Sequence, residues 1–229
     1  MKNLLLAAAL VAGGAILAGG FQRIRGQEAT PSGRVPIGAV AAQAVGRVVL
    51  TPDGGADIFG YYTFVEGIPG LFKDAPSAAG AHLTYRAEPT AAAFLDNGRV
   101  LHLIATPANG QFTRIGVYYH PEPTNDLERP ASFAEGTHVA SYRTHGTRAN
   151  VTSNAYQLSA TLELEWAVDF PHAGRTFNLR NAAESLTLQT FGPGASLDGL
   201  IEQAARDGRV TVEYGGTAYA AGAYPAAGQ

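Results

Sequence analysis

Three acidic residues occupy alternating positions within one long apolar stretch. Glu163, Glu165 and Asp169 lie in segment 156–170, which reads YQLSATLELEWAVDF. Because alternate side chains of a β-strand point to opposite faces, this segment predicts a strand with one apolar and one acidic face. Carboxylates on one face can share a proton, shift each other's pKa or bind Ca²⁺. The alternative is a solvated face, on which acids discourage edge pairing, or the lining of a wet barrel lumen.

The histidines lack the short spacings of metal-binding motifs. The chain contains His82, His102, His120, His138, His145 and His172. A site would have to assemble from separate strands, for example from His82, His102 and His138, because imidazoles are frequent transition-metal ligands. Scattered surface histidines are the simpler interpretation, so we predict no metal site and no cofactor. The sequence also has no cysteine, no G-x-S-x-G and no phosphate-binding glycine loop.

Aromatic residues recur along the apolar segments. A tyrosine-rich strand face can bind a small apolar molecule or a sugar, since each ring offers flat contact area and a polar tip. Aromatic residues also favour strands and pack cores, which is the competing interpretation. The candidate ligand contacts are Tyr61, Tyr62, Tyr85, Tyr118 and Tyr142.

Short strands separated by turn-forming residues would position these side chains. Segments 45–50 and 56–65 flank Pro52-Asp53-Gly54-Gly55, which predicts a hairpin. A short helix is expected at 197–206, after Ser196. The remaining predicted strands are 81–87, 99–105, 112–119, 137–144, 156–170, 183–191 and 209–214. This pattern indicates an all-β, mainly antiparallel fold, a β-sandwich or β-barrel of about nine strands with one short C-terminal helix.

The two ends of the chain differ from the middle. Residues 1–20 have one Lys followed by an uncharged Leu/Ala/Gly run, which predicts a signal peptide. An N-terminal membrane anchor is the alternative, and it would be the chain's only membrane contact. We expect a linker or extended arm at 21–44, a single β domain at 45–214 and a flexible Gly/Ala/Tyr tail at 215–229. The expected location is periplasmic or extracellular.

Composition narrows the functional classes. Charged residues make up 15% of the chain, and the formal net charge of -3 gives no electrostatic footprint for nucleic acid. The first hypothesis is an exported, non-enzymatic β protein that binds a small apolar ligand, a glycan or an envelope or extracellular protein. The second is a small β-barrel isomerase, cyclase or lyase, with Glu163, Glu165, His102 and Tyr119 as candidate acid/base residues in a cup. The third is a structural subunit that self-assembles on a surface by strand addition.

Overall fold

The computed structural model describes residues 35–50, 55–87, 90–96, 101–107, 113–151, 155–193, 202–203 and 206–221. Short 3₁₀ turns lie at Pro130–Ala134 and Leu179–Asn181. The strands are β1 Val40–Leu50, β2 Gly55–Val65, β3 Leu83–Ala87, β4 Thr90–Asp96, β5 Leu101–Pro107, β6 Arg114–Tyr119, β7 Thr137–Val151, β8 Ala155–Ala167, β9 Phe170–His172, β10 Arg175–Phe177, β11 Ser185–Pro193 and β12 Val210–Ala220.

Eight antiparallel strands close into a barrel. The ring runs β1, β2, β3, β6, β7, β8, β11 and β12, and β12 pairs with β1 to complete it. Strands β4 and β5 pair with each other and join β2 to β7 farther along these two long strands. The prediction of an all-β, mainly antiparallel fold is therefore confirmed, and of its two forms the barrel is present. Closure gives every strand of the ring a hydrogen-bonding partner on each side.

The alternation in segment 156–170 sets the inner and outer faces of β8. Leu158, Ala160, Leu162 and Leu164 are buried, whereas the residues between them are partly exposed. The predicted apolar face thus faces the barrel interior from Leu158 to Leu164, whereas Trp166 and Val168, predicted on the same face, are exposed. The predicted single strand is two elements, because β8 ends at Ala167 and β9 begins at Phe170.

The barrel extends beyond the predicted β segment at both ends. Strand β1 starts at Val40, inside the predicted linker, and β12 continues to Ala220, inside the predicted tail. The two pair from Val40 opposite Tyr219 to Leu50 opposite Val210, and this pairing closes the ring. Small residues at these positions gave little hydrophobic signal, although their backbone is strand.

Several predicted segments are only partly covered by the described residues. Residues 1–20, predicted as a leader, lie outside them, as do the first residues of the predicted arm. Of the predicted helix 197–206, residues 202–203 and 206 are described and are helical. Among the described residues, no helix is long and apolar enough to cross a membrane.

The loop after β6 covers part of the outer barrel wall. Phe59 on β2 and Phe133 in this loop are both fully buried, with ring centroids 5.1 Å apart. Thr84 on β3 donates its hydroxyl to the Phe133 carbonyl at 2.7 Å. The loop is therefore fastened to β2 and β3 on the outer wall.

Candidate functional site

The barrel interior contains an apolar cavity. The space open to the centre of a water-sized molecule is about 80 Å³. All eight strands of the ring contribute to the wall, and most lining side chains are aliphatic. This follows from closure, since an eight-stranded barrel is just wide enough for its inward side chains or for one small ligand.

Two threonine hydroxyls in the cavity wall have no hydrogen-bond partner within the described part of the chain. Thr113 is 4% exposed and Thr190 is 2% exposed. Thr144, which also lines the cavity, differs because its hydroxyl donates to the Thr113 carbonyl at 3.0 Å. An unsatisfied buried hydroxyl costs about 1–3 kcal/mol, so a bound polar group at these positions would be stabilised.

A row of two tyrosines and two glycines forms another part of the wall. Tyr214, Gly46, Gly60 and Tyr85 stand opposite one another across β12, β1, β2 and β3. The two tyrosine hydroxyls meet at 2.7 Å, and the Tyr85 hydroxyl also donates to the Val45 carbonyl at 3.2 Å. A Cβ atom on Gly46 would lie 2.3 Å from the Tyr85 Oη, and one on Gly60 would lie 2.4 Å from it. The glycines thus leave the space in which the side chains of Tyr85 and Tyr214 lie over the strands and meet.

The five tyrosines predicted as ligand contacts divide between the two faces. Tyr62 and Tyr85 line the cavity, with ring centroids 5.5 Å apart in an edge-on arrangement. Tyr142 is buried on β7. Burial raises the pKa of Tyr62, Tyr85 and Tyr142, so these phenols stay protonated and neutral.

The other two predicted tyrosines belong to the outer face. Tyr61 packs edge-on against Phe72, and Tyr118 stacks on His138 with ring centroids 4.7 Å apart. His138 in turn packs against Trp166 at 4.5 Å. The structure therefore separates these rings from the interior cavity.

The predicted acid/base carboxylates are on the outer wall of the barrel. Glu163 accepts a hydrogen bond from Arg143 at 2.7 Å, and Glu165 accepts one from Arg114 at 2.7 Å. Neither glutamate lines the interior cavity. The side chain of His102, on β5, lies outside the described residues.

Tyr119, the remaining acid/base candidate, belongs to a cluster with His82 and His172 at the end of the barrel where β6 ends. The imidazole centroids lie 5.2 Å apart, and the Tyr119 Oη is 3.4 Å from the His172 Nδ1. These residues line an open notch of about 370 Å³, whose rim carries the Lys73–Glu122 ion pair. Tyr119 is buried, which raises its pKa.

This cluster differs from the histidine group considered from the sequence. His138 lies on the outer face between Tyr118 and Trp166, whereas His82 is next to His172. The sequence offered no signal for that pairing, because His82 directly precedes β3 and His172 ends β9, far apart in the chain. Across the described ranges, no three or more His, Cys, Asp or Glu residues gather in a metal-binding group.

Comparisons with family models, with curated proteins and with solved structures give no match for this chain.

Proposed function

We propose that this protein is a non-enzymatic binding protein whose barrel interior holds a small, mostly apolar molecule with one hydrogen-bonding group. The observation that carries the proposal is the apolar cavity with two unpartnered threonine hydroxyls in its wall. Apolar walls with a few placed polar groups are the usual composition of small-molecule sites. The leader expected at residues 1–20 adds the proposal that binding takes place outside the cytoplasm.

The cavity volume limits the size of the ligand. An engineered cavity of about 150 Å³ with aliphatic and aromatic walls holds benzene or xenon. The present space is about 80 Å³, so molecules of roughly five non-hydrogen atoms fit without side-chain movement. The best small ligands gain about 1.5 kcal/mol per non-hydrogen atom, so five atoms give about 7.5 kcal/mol and a Kd of about 3 μM at the tightest. Short-chain ketones and alcohols have the required size and polarity.

The acid/base hypothesis receives less support from the same structure. Glu163 and Glu165 each bond to an arginine on the outer wall, away from the cavity. The tyrosines that do face the interior have pKa values raised by burial, which suits neutral hydrogen bonding better than proton transfer near neutral pH. Binding without catalysis is the function that this arrangement favours.

Methyl NMR with 2-butanone and with xenon tests the proposal directly. We expect both probes to shift the methyl signals of cavity residues such as Leu158 and Leu188. Ala160→Phe fills the cavity and should abolish the shifts, whereas Thr161→Phe adds the same ring to the outer face of the same strand and should preserve them. Ala218→Leu provides a second, smaller filling variant if Ala160→Phe does not fold. The proposal fails if no cavity methyl responds at millimolar probe, or if the filled barrel still binds.

The threonine hydroxyls should contribute to the affinity for 2-butanone but not to the affinity for xenon. Thr190→Val preserves the side-chain shape and removes the hydroxyl. One lost hydrogen bond of about 1 kcal/mol should weaken 2-butanone binding roughly fivefold and leave xenon binding unchanged. Equal weakening of both probes would show that the valine alters the shape of the cavity instead.

A further inference from the structure

We propose that His82, His172 and Tyr119 bind one divalent transition-metal ion, Cu²⁺ or Zn²⁺, in the notch at the end of the barrel. This site is separate from the proposed interior ligand site, because none of the three residues lines the cavity. It therefore stands whether or not the interior binds a ligand.

Backbone carbonyls fix the tautomers of both histidines. The Nδ1 of His82 lies 2.7 Å from the His120 carbonyl oxygen, and the Nε2 of His172 lies 2.9 Å from the Pro69 carbonyl oxygen. A carbonyl oxygen only accepts, so each of these nitrogens carries the hydrogen. The other ring nitrogen, Nε2 in His82 and Nδ1 in His172, is then the one that can offer a lone pair, and the Tyr119 hydroxyl lies 3.4 Å from the His172 Nδ1. Metal-binding histidines are held in this way, with the second ring nitrogen bonded to a carbonyl or carboxylate.

The distances match those between ligands of one tetrahedral ion. Metal–nitrogen bonds of 2.0–2.1 Å separate two ligand atoms by about 3.3 Å and two imidazole centroids by about 5.2 Å. The observed values are 3.4 Å between Tyr119 Oη and His172 Nδ1, and 5.2 Å between the centroids of His82 and His172. The first distance is long for a hydrogen bond from a hydroxyl to a nitrogen and agrees with two ligands of a shared ion.

The chemistry of the notch also suits a cation. Imidazole nitrogens are common ligands of Cu²⁺ and Zn²⁺, and Cu²⁺ binds more tightly to a given site. The described residues gather no three His, Cys, Asp or Glu in one place, so this site reaches three donors only through the phenol of Tyr119. Glu122 lines the same notch, and its ion pair with Lys73 is exposed on both sides. An exposed pair contributes little, so this carboxylate can turn toward a bound cation at small cost.

Isothermal titration of the full chain with CuCl₂ and ZnCl₂, after treatment with a chelator, measures the binding. We expect one ion per chain, with Cu²⁺ bound more tightly than Zn²⁺. His82→Gln and His172→Gln should each weaken binding by more than about tenfold, as even the loss of a residue supporting a ligand does. His138→Gln, on the outer wall, is the matched control and should bind like the unmodified chain. The proposal is overturned if the full chain does not bind at 100 μM metal, or if both notch variants bind as tightly as the unmodified chain.

Two spectroscopic measurements test the ligands individually. Copper bound to a phenolate gives a charge-transfer absorption band, which Tyr119→Phe should remove while the ring packing stays in place. Loss of the band assigns the tyrosine as a ligand, whereas an unchanged band removes it from the site. Long-range ¹H–¹⁵N NMR of the unmodified chain requires no variant to fold. Zn²⁺ should shift His82 Nε2 and His172 Nδ1 first, and a first shift at other imidazoles contradicts the site.

Discussion

Replacing Gly60 by alanine should destabilise the barrel, although alanine is ordinarily the better strand residue. A Cβ atom at this position would lie 2.2 Å from the Val45 carbonyl oxygen, 2.4 Å from the Tyr85 Oη and 2.6 Å from the Gly46 Cα. Two of these three atoms belong to the backbone of β1, so rotation of a side chain cannot relieve the contact. The strands must separate at the point where Gly46 and Gly60 pair.

The expected change in the free energy of unfolding combines one stabilising and two destabilising contributions. Alanine in place of a strand glycine gains about 0.5–1 kcal/mol through reduced backbone entropy in the unfolded chain. Overpacking costs about 1–3 kcal/mol, and loss of the hydrogen bond between Tyr85 and Tyr214 costs about 1 kcal/mol more. The free energy of unfolding should therefore fall by about 1–3 kcal/mol.

Gly215→Ala is the matched control. Gly215 lies on β12 opposite Val45, and its nearest neighbour to a new Cβ atom is a Val45 methyl at 4.0 Å. This variant should be neutral or slightly stabilised. Urea unfolding, followed by the fluorescence of the single Trp166, measures both changes. Equal stability of the two variants would refute the claim that the tyrosines require a residue without a side chain at position 60.

Two further predictions concern pH and the outer carboxylates. Burial lowers the pKa of His120 below its ordinary value of 6.5. The charge of Glu135 raises this pKa and that of His82 lowers it, but burial is the largest effect. The unfolded chain then binds more protons, so stability should fall as pH drops through about 6.5. His120→Gln, which can still donate to Thr84 Oγ1, should reduce this fall between pH 7 and 5.5 in urea unfolding, and an unchanged slope would contradict the assignment. Glu163→Gln and Glu165→Gln should each change stability by less than about 1 kcal/mol, because partly exposed ion pairs contribute little. Neither should alter ligand binding, and a loss of binding in a folded variant would instead favour the acid/base hypothesis.

Local sequence patterns predicted those parts of the fold that depend on neighbours in the chain. The alternation in segment 156–170 identified the inward face of β8, and turn residues identified the pairing of β1 with β2. Closure could not be predicted in this way, because it depends on pairing between residues at opposite ends of the domain. The choice between sandwich and barrel therefore required the register of β1 against β12.

The residues of the candidate sites were likewise predicted only where the local sequence marks them. Tyr62 and Tyr85 were predicted from their place in aromatic strands, and both line the cavity. Thr113 and Thr190 gave no signal, because threonine is common in strands and nothing local marks an unpartnered hydroxyl. His82 and His172 meet only because the start of β3 lies near the end of β9.

The cavity and the extension of β1 and β12 beyond the predicted β segment have one physical cause. The inward positions of β1 and β12 include Ala42, Ala44, Gly216 and Ala218, which are too small to predict a core. The next two strands of the ring, β11 and β8, contribute leucines of ordinary size. An eight-stranded barrel is filled when every strand contributes bulk, so two adjacent strands of small residues leave open space beside the leucines. The weak hydrophobic signal at both ends of the domain is therefore the feature of the sequence that leaves the cavity open.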